Sequence, residues 1–255
     1  MRPYTAAGRR KKVGHITPSS NTVLEPLTGC LSADLDDVVS HHFTRIKVEA
    51  ITLEERHTSQ FGVEHMVDAA LLLADSHVDA IVWNGTSGAW NGADADREIC
   101  AAIEERTGIP ATTSTLAQFD AMDAWDMRRY ALAVPYTDDV TARLVEVYGD
   151  AGYEAVGTAN ASVATNSEMA HVTPDQVREL VRAADHPDAE CVLVVCTGMA
   201  AAPLVEELEA ELGKPVIDSI AVVLWRALQL VGVERSVQGW GVLLSGQDPK
   251  RLTSR

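Results

Sequence analysis

The stretch IVWNGTSGAWNG, residues 81–92, runs from apolar residues into glycine, threonine, serine and asparagine. A turn of that composition after a buried strand offers backbone N–H groups, the hydroxyls of Thr86 and Ser87, and the start of a following helix. Such donors suit a carboxylate or a developing oxyanion. Ser, Thr and Asn are equally the preferred helix N-caps, so Thr86, Ser87 and Asn91 have a purely structural reading as well. A hydrolase nucleophile elbow does not fit, because G-x-S-x-G needs a glycine where the chain has Ala89.

Cys196 ends a second apolar run, CVLVVC, and precedes TGMAAAP. That places a thiol at a strand-to-helix turn, where helix-dipole potential can tune it; the other reading is an inert core cysteine. PSSNT (18–22) is a further strand-end turn, able to bind a ligand or to cap a helix. Tyr136, after Pro135, either presents a phenol to the same region or packs at the surface. Asn160 and Asn166, in TANASVATNS, read as neutral donors or as turn residues. Adjacent His41 and His42 point to opposite sides of a strand and do not form a pair. The four cysteines have no CxxC spacing, and no H-E-x-x-H, carboxylate cluster, GxGxxG or GxxxxGK[ST] occurs, so neither a metal nor a bound cofactor is expected.

The elements that must carry these turns alternate. VGHIT, VVSHHFTRI, DAIVW, ALAVP, EAVGTANAS and CVLVVC read as strands. Between them VEHMVDAALLLADSH, ADADREICAAIEERTG, TDDVTARLVEVYGDAG, PDQVRELVRAAD and APLVEELEAELG carry apolar residues at helical spacing. An α/β fold with parallel sheet is expected. The pattern also repeats. VGHITPSSNT aligns with YALAVPYTDD, setting Pro18 against Pro135 and Ser19 against Tyr136. IVWNGTSG…IEERTGIPATTSTLAQFDAM aligns with LVVCTGMA…LEAELGKPVIDSIAVVLWRAL, setting Gly85 against Cys196 and Thr86 against Thr197. The expectation is two pseudo-symmetric Rossmann-like lobes, 13–126 and 127–230, with a basic tail over 1–12 and a C-terminal segment, 231–255, packing back on the first lobe. Ligands of open α/β sheets bind beyond the carboxyl ends of the strands, where all the unusual turns lie, so the active site is expected in the cleft between the lobes.

At 255 residues and 46% hydrophobic the chain can bury a substantial core. Its formal net charge of −16 opposes phosphate backbones and anionic membranes, so neither nucleic acid nor membrane is expected as a partner. MRPYTAAGRRKK lacks the apolar region of a signal peptide, no run approaches a membrane span, and a reduced, cytoplasmic protein is expected. A homo-oligomer is compatible with the sequence, which does not specify one.

With TPSSNT, GTS, VPYTDD, TNSEMAHV and VVCTG in this order, the chain resembles the aspartate/glutamate racemase superfamily, in the branch holding maleate cis-trans isomerases and arylmalonate decarboxylases. The resemblance implies two facing lobes, no cofactor, a small carboxylic acid substrate, and cysteines at two facing strand ends. Here Gly85 holds the place of the first cysteine and only Cys196 is kept, which looks like the decarboxylase arrangement. It then implies that Thr86, Ser87 and Tyr136, with N–H groups near Cys196 and Thr197, hold one carboxylate while Cys196 donates a proton to the carbanion. It implies substrate contacts from Gly85, Pro18, Ser19, Ser20, Asn21 and Asn166 too. PSSNT and Asn166 look more like the isomerase pattern, so the alternatives are an isomerase-like enzyme and a catalytically lapsed carboxylate-binding protein.

Overall fold

The computed structural model describes residues 10–254. Of the expected basic tail, residues 1–9 lie outside the described residues, whereas Lys11 and Lys12 already belong to the first strand.

The first half runs β1 (Lys11–Pro18), α1 (Leu24–Leu31), β2 (Val39–Ile46), the single turn α2 (Glu55–Thr58), α3 (Val63–Ala74), β3 (Ala80–Trp83), the short α4 (Gly88–Asn91), α5 (Ala93–Thr107), β4 (Ala111–Thr113) and α6 (Ser114–Ala124). The second half runs β5 (Arg129–Val134), α7 (Asp138–Asp150), β6 (Glu154–Asn160), α8 (Pro174–Ala184), β7 (Cys191–Val194), α9 (Val205–Leu212), β8 (Val216–Asp218), α10 (Ser219–Leu230) and α11 (Val242–Ser245). Each half builds a four-stranded parallel sheet, ordered β2-β1-β3-β4 and β6-β5-β7-β8. The two orders are the same, as the internal repeat requires.

Matching details come from matching chemistry. Helices α5 and α9 both stop at a left-handed glycine, Gly108 (φ +70°) and Gly213 (φ +68°), a conformation that costs glycine nothing. Pro110 and Pro215 follow, and their carbonyls accept from Ile81 and Val192 at 2.9 Å, opening β4 and β8. Helix α8 forms where Thr173 and Gln176 make a reciprocal cap around Pro174, and it buries Val177, Leu180, Val181 and Ala184 along one stripe. Strands β4 and β8 escaped the sequence reading because three residues give no periodicity.

Helices α6 and α10 each lie against the other half. Phe119 of α6 meets Tyr148 at 4.8 Å and Tyr153 at 5.1 Å, and the Tyr148 hydroxyl donates to Gln118 at 2.5 Å. In return α10 packs Ile220, Val223, Leu224, Ala227 and Leu228 onto Val13, Leu24, Val39, Ala80 and Val82 of the first half. Ser114 and Ser219 mark the crossing, with Ser114 Oγ donating to the Ser219 carbonyl at 3.3 Å. After α10 the chain touches both halves. Arg235 pairs with Asp37 at 2.7 Å, and Glu209 of α9 accepts from the Val242 N–H at 2.9 Å. No helix among the described residues is long and apolar enough to cross a membrane.

Candidate active site

The carboxyl ends of six strands converge on one small cavity. Pro18 comes from the end of β1, Val48, Ile51 and Phe61 from the segment after β2, and Trp83, Gly85, Thr86 and Trp90 from β3 and the turn behind it. The second half contributes Tyr136 after β5, Asn166 after β6, and Cys196, Thr197 and Gly198 after β7. Gly85 and Cys196 each lie two residues beyond the last residue of their strand, in the register expected from the repeat.

The polar side is built across the two halves. The hydroxyls of Thr86 and Tyr136 lie 2.7 Å apart and share one hydrogen bond. Burial pushes the Tyr136 phenol well above its ordinary pKa, so it stays a neutral donor. The Cys196 thiol lies 3.5 Å from the Met169 sulfur and accepts from the Gly198 N–H at 3.3 Å. Burial pushes its pKa up to about 11, while Tyr136 and the N–H groups of Gly198 and Met199 pull it down by less. At neutral pH it is a thiol, not a thiolate. Val48, Ile51, Phe61, Trp83 and Trp90 make the apolar part of the lining.

Other residues singled out in the sequence frame the cavity without lining it. Asn21 caps α1 by accepting from the N–H groups of Val23 and Leu24, at 2.9 and 3.0 Å, and its amide donates to the Thr197 carbonyl at 2.9 Å. Thr197 itself lines the cavity, but its hydroxyl donates to the Asn84 carbonyl at 2.7 Å, tying the two strand ends together. Ser19 Oγ accepts from the Val48 N–H at 3.1 Å. Ser20 Oγ accepts from Asn166 at 2.7 Å, and the neighbouring Ala50 and Thr165 form an antiparallel bridge over the cleft. Ser87 accepts the Trp83 indole N–H at 2.9 Å from outside the cavity wall. Asn160 is bound to Asp138 at 2.7 Å and stays apart.

Two features escaped the sequence reading. The indole of Trp83 lies directly against Gly85, so that a Cβ added there would overlap its Cζ2, Cε2 and Cη2 atoms. Strand alternation puts residue 83 in the core but does not say which way its ring turns. The second feature is a pair of buried imidazoles on neighbouring strands. His41 does not pair with His42, as expected, but its Nδ1 lies 2.8 Å from His15 Nε2. Asn84 Nδ2 is 3.1 Å from His15 Nδ1, and lies 3.3 and 3.1 Å from the Ile16 and Val82 carbonyls. Surrounded by acceptors, the amide donates, so His15 accepts at Nδ1 and donates from Nε2 to His41. Burial first, and then the neighbouring imidazoles, hold both pKa values down, that of His41 at about 4. Among the described residues no group of three or more His, Cys, Asp or Glu could hold a metal ion.

Comparison with known proteins bears on this geometry. A family model described as arylmalonate decarboxylase matches residues 24–244. The arylmalonate decarboxylase of Bordetella bronchiseptica is 31% identical over 173 residues, covering 67% of this chain and 72% of the relative. A maleate isomerase of Alcaligenes faecalis is 22% identical over 251 residues, covering 94% and 98%. Among solved structures, a Nocardia farcinica maleate cis-trans isomerase variant with a covalently bound succinylcysteine intermediate superposes with a TM-score of 0.86 at 22% identity, over 93% of this chain and 99% of that one. A doubly substituted arylmalonate decarboxylase in its liganded form gives 0.81 at 25% identity, over 93% and 100%.

Proposed function

The chain belongs to the arylmalonate decarboxylase family, whose relatives include maleate isomerases, and from that premise we propose that it is a cofactor-independent decarboxylase of a malonate-type diacid. One observation carries the choice. Gly85, which lines the same cavity as Cys196, lies under the Trp83 ring and offers no group able to carry a proton or to attack a double bond.

In this reading the hydroxyls of Thr86 and Tyr136 exchange their mutual hydrogen bond for two bonds to one carboxylate. The other carboxylate faces Val48, Ile51 and Phe61, where the anion is poorly solvated and neutral CO₂ is not. The bond between the α-carbon and that carboxylate breaks, CO₂ leaves, and its electron pair passes into an enediolate on the retained carboxylate. Donors placed for that developing charge contribute most to such a step. Cys196 then gives its Sγ proton to the carbon, and the thiolate, a strong base at a pKa of about 11, regains a proton from water.

A thiol kept protonated suits a proton donor better than the nucleophile that isomerisation through a carbon–sulfur bond needs. The isomerase reading draws on Asn166, the one amide on the cavity wall, as a donor to a second carboxylate.

The test is to incubate the protein with alkylmalonates and, separately, with maleate, in D₂O. CO₂ release with one deuterium at the α-carbon is expected. Cys196→Ala should abolish turnover while diacid binding by calorimetry persists. Fumarate from maleate, with a covalent adduct on Cys196, would establish the isomerase instead. Binding without either product would mean a lapsed enzyme, and near-normal turnover in Cys196→Ala would leave Cys196 a core thiol.

A further inference from the structure

Resting on the decarboxylase reading, we propose that Trp83 sets the substrate class: a malonate whose α-substituent is no larger than a short alkyl group, with aryl substituents shut out by the indole. The argument starts from the repeat. Residue 83 ends β3 as Val194 ends β7, so a ring stands in one half where the other half has a branched aliphatic side chain.

That ring is fixed. Trp83 is fully buried, and its N–H is bound to Ser87 at 2.9 Å. Turning it away would orphan a buried donor. Phe61 lies 6.1 Å from it, ring centre to ring centre, and Trp90 follows at 5.8 Å from Phe61 and 5.4 Å from Tyr136, so the indole belongs to a continuous aromatic wall.

Once a carboxylate is held at Thr86 and Tyr136 and the α-carbon is within reach of Cys196, the remaining substituent has to lie towards Gly85 or the apolar wall. Towards Gly85 the six-membered edge of the indole already occupies the space. The volume open to water centres in the cavity is about 20 Å³, enough for about one water molecule. Any diacid therefore needs the wall to give. Val48, Ile51 and Phe61 sit on the segment between β2 and α3, which belongs to neither sheet and is held across the cleft by the Ala50–Thr165 bridge and the Ile51–Ala164 hydrogen bond, so in this proposal it is the side that gives way. Trp83 sits on a central strand paired on both sides, with β1 and β4, and holds its place. The rigid side of the site thus carries the size limit.

The test uses methylmalonate, ethylmalonate and phenylmalonate with the wild type, Trp83→Phe and Trp83→Val. CO₂ release and calorimetric binding are both measured, and folding is checked by thermal melting. In the wild type kcat/KM for methylmalonate should exceed that for phenylmalonate by at least about 10-fold, the lower end of what a packed apolar contact discriminates. Trp83→Val should raise the phenylmalonate value at least about 10-fold, and Trp83→Phe should fall between. If Trp83→Val does not fold, Trp83→Phe decides alone. A wild type that prefers phenylmalonate, or a folded Trp83→Phe with an unchanged ratio, overturns the proposal. If no CO₂ appears but binding follows the same size order and shifts with Trp83, the decarboxylase reading falls and the size limit stands. CO₂ release without a size order does the reverse. If no malonate binds, both fall.

Discussion

The hydroxyls of Thr86 and Tyr136 meet at 2.7 Å although they come from opposite halves of the repeat, one after β3 and the other after β5. Both are buried, the single hydrogen bond between them uses one of their two protons, and Tyr136 is also hydrogen-bonded to Cys196. A carboxylate accepts from both without leaving either unpaired.

Removing either donor should therefore weaken the transition state more than the ground state. Thr86→Ala and Tyr136→Phe should each lower kcat/KM by the equivalent of about 2–4 kcal/mol, the range for losing one oxyanion donor, with most of the loss in kcat. Steady-state kinetics on an alkylmalonate measure this. A change confined to KM would mean that the pair only binds.

Gly85 invites replacement by cysteine, since a thiol there would face Cys196 across the reacting carbon and create a two-base site. With Trp83 in place, a Cβ at 85 has nowhere to go. Gly85→Cys alone should lower the melting temperature and give no α-proton exchange of a chiral carboxylic acid with short alkyl α-substituents in D₂O. The double substitution Trp83→Val with Gly85→Cys should restore folding and bring in slow exchange with racemisation. Exchange in the single variant at the rate of the double would refute the steric argument.

The buried imidazoles make acid stability a third test. The His41 pKa falls from 6.5 in the unfolded chain to about 4 in the folded one, and that of His15 also falls, so between those pH values the unfolded state binds more protons. Their contribution is complete above pH 6.5 and is lost as pH drops through 4. For His41 it amounts to roughly 3 kcal/mol, at about 1.4 kcal/mol per pH unit. Burial raises Asp96, Glu209 and Asp218 to about 7, which works in the opposite sense, stability declining as pH rises towards 7. Those carboxyls are common to wild type and variant. Urea denaturation of a His15→Leu, His41→Leu double variant should thus show a shallower loss of stability than wild type between pH 6.5 and 4. Parallel curves would show that the pair titrates normally.

What could be read from the sequence was whatever local chemistry fixes. Turn residues at strand ends are local, and with the internal repeat they set Gly85 against Cys196 and drew attention to Thr86 and Tyr136, all four of which line one cavity. Pro18 and Asn166 followed. What could not be read depended on neighbours distant in sequence. The His15–His41 contact exists because β1 and β2 pair in parallel, setting Val13 against His41 and His15 against Phe43, and no periodicity states a register. Ser19, Ser20, Asn21 and Ser87 have the residue types of ligand donors, and in the structure they bind backbone or side-chain partners around the site. The Trp83 ring orientation follows from the Ser87 hydroxyl four residues on, a side-chain choice that burial patterns do not encode.

The exchange of α6 and α10 between the halves has a consequence for the order in which the molecule can be made. The back of the first sheet, at Val13, Val39, Ala80 and Val82, is covered by a helix that begins at Ser219. A nascent chain therefore carries every strand of its first sheet long before it carries the helix that dries it. Until then that face is covered only in part, by Leu24, Leu27, Leu31 and Leu35, and the remainder is an apolar surface open to association with other chains. Contacts so far apart in sequence close late and slowly, because loop entropy is lost before they form. The two halves look like separate folding units in the repeat, yet the first cannot finish until the second is nearly complete, and assembly becomes a single late event.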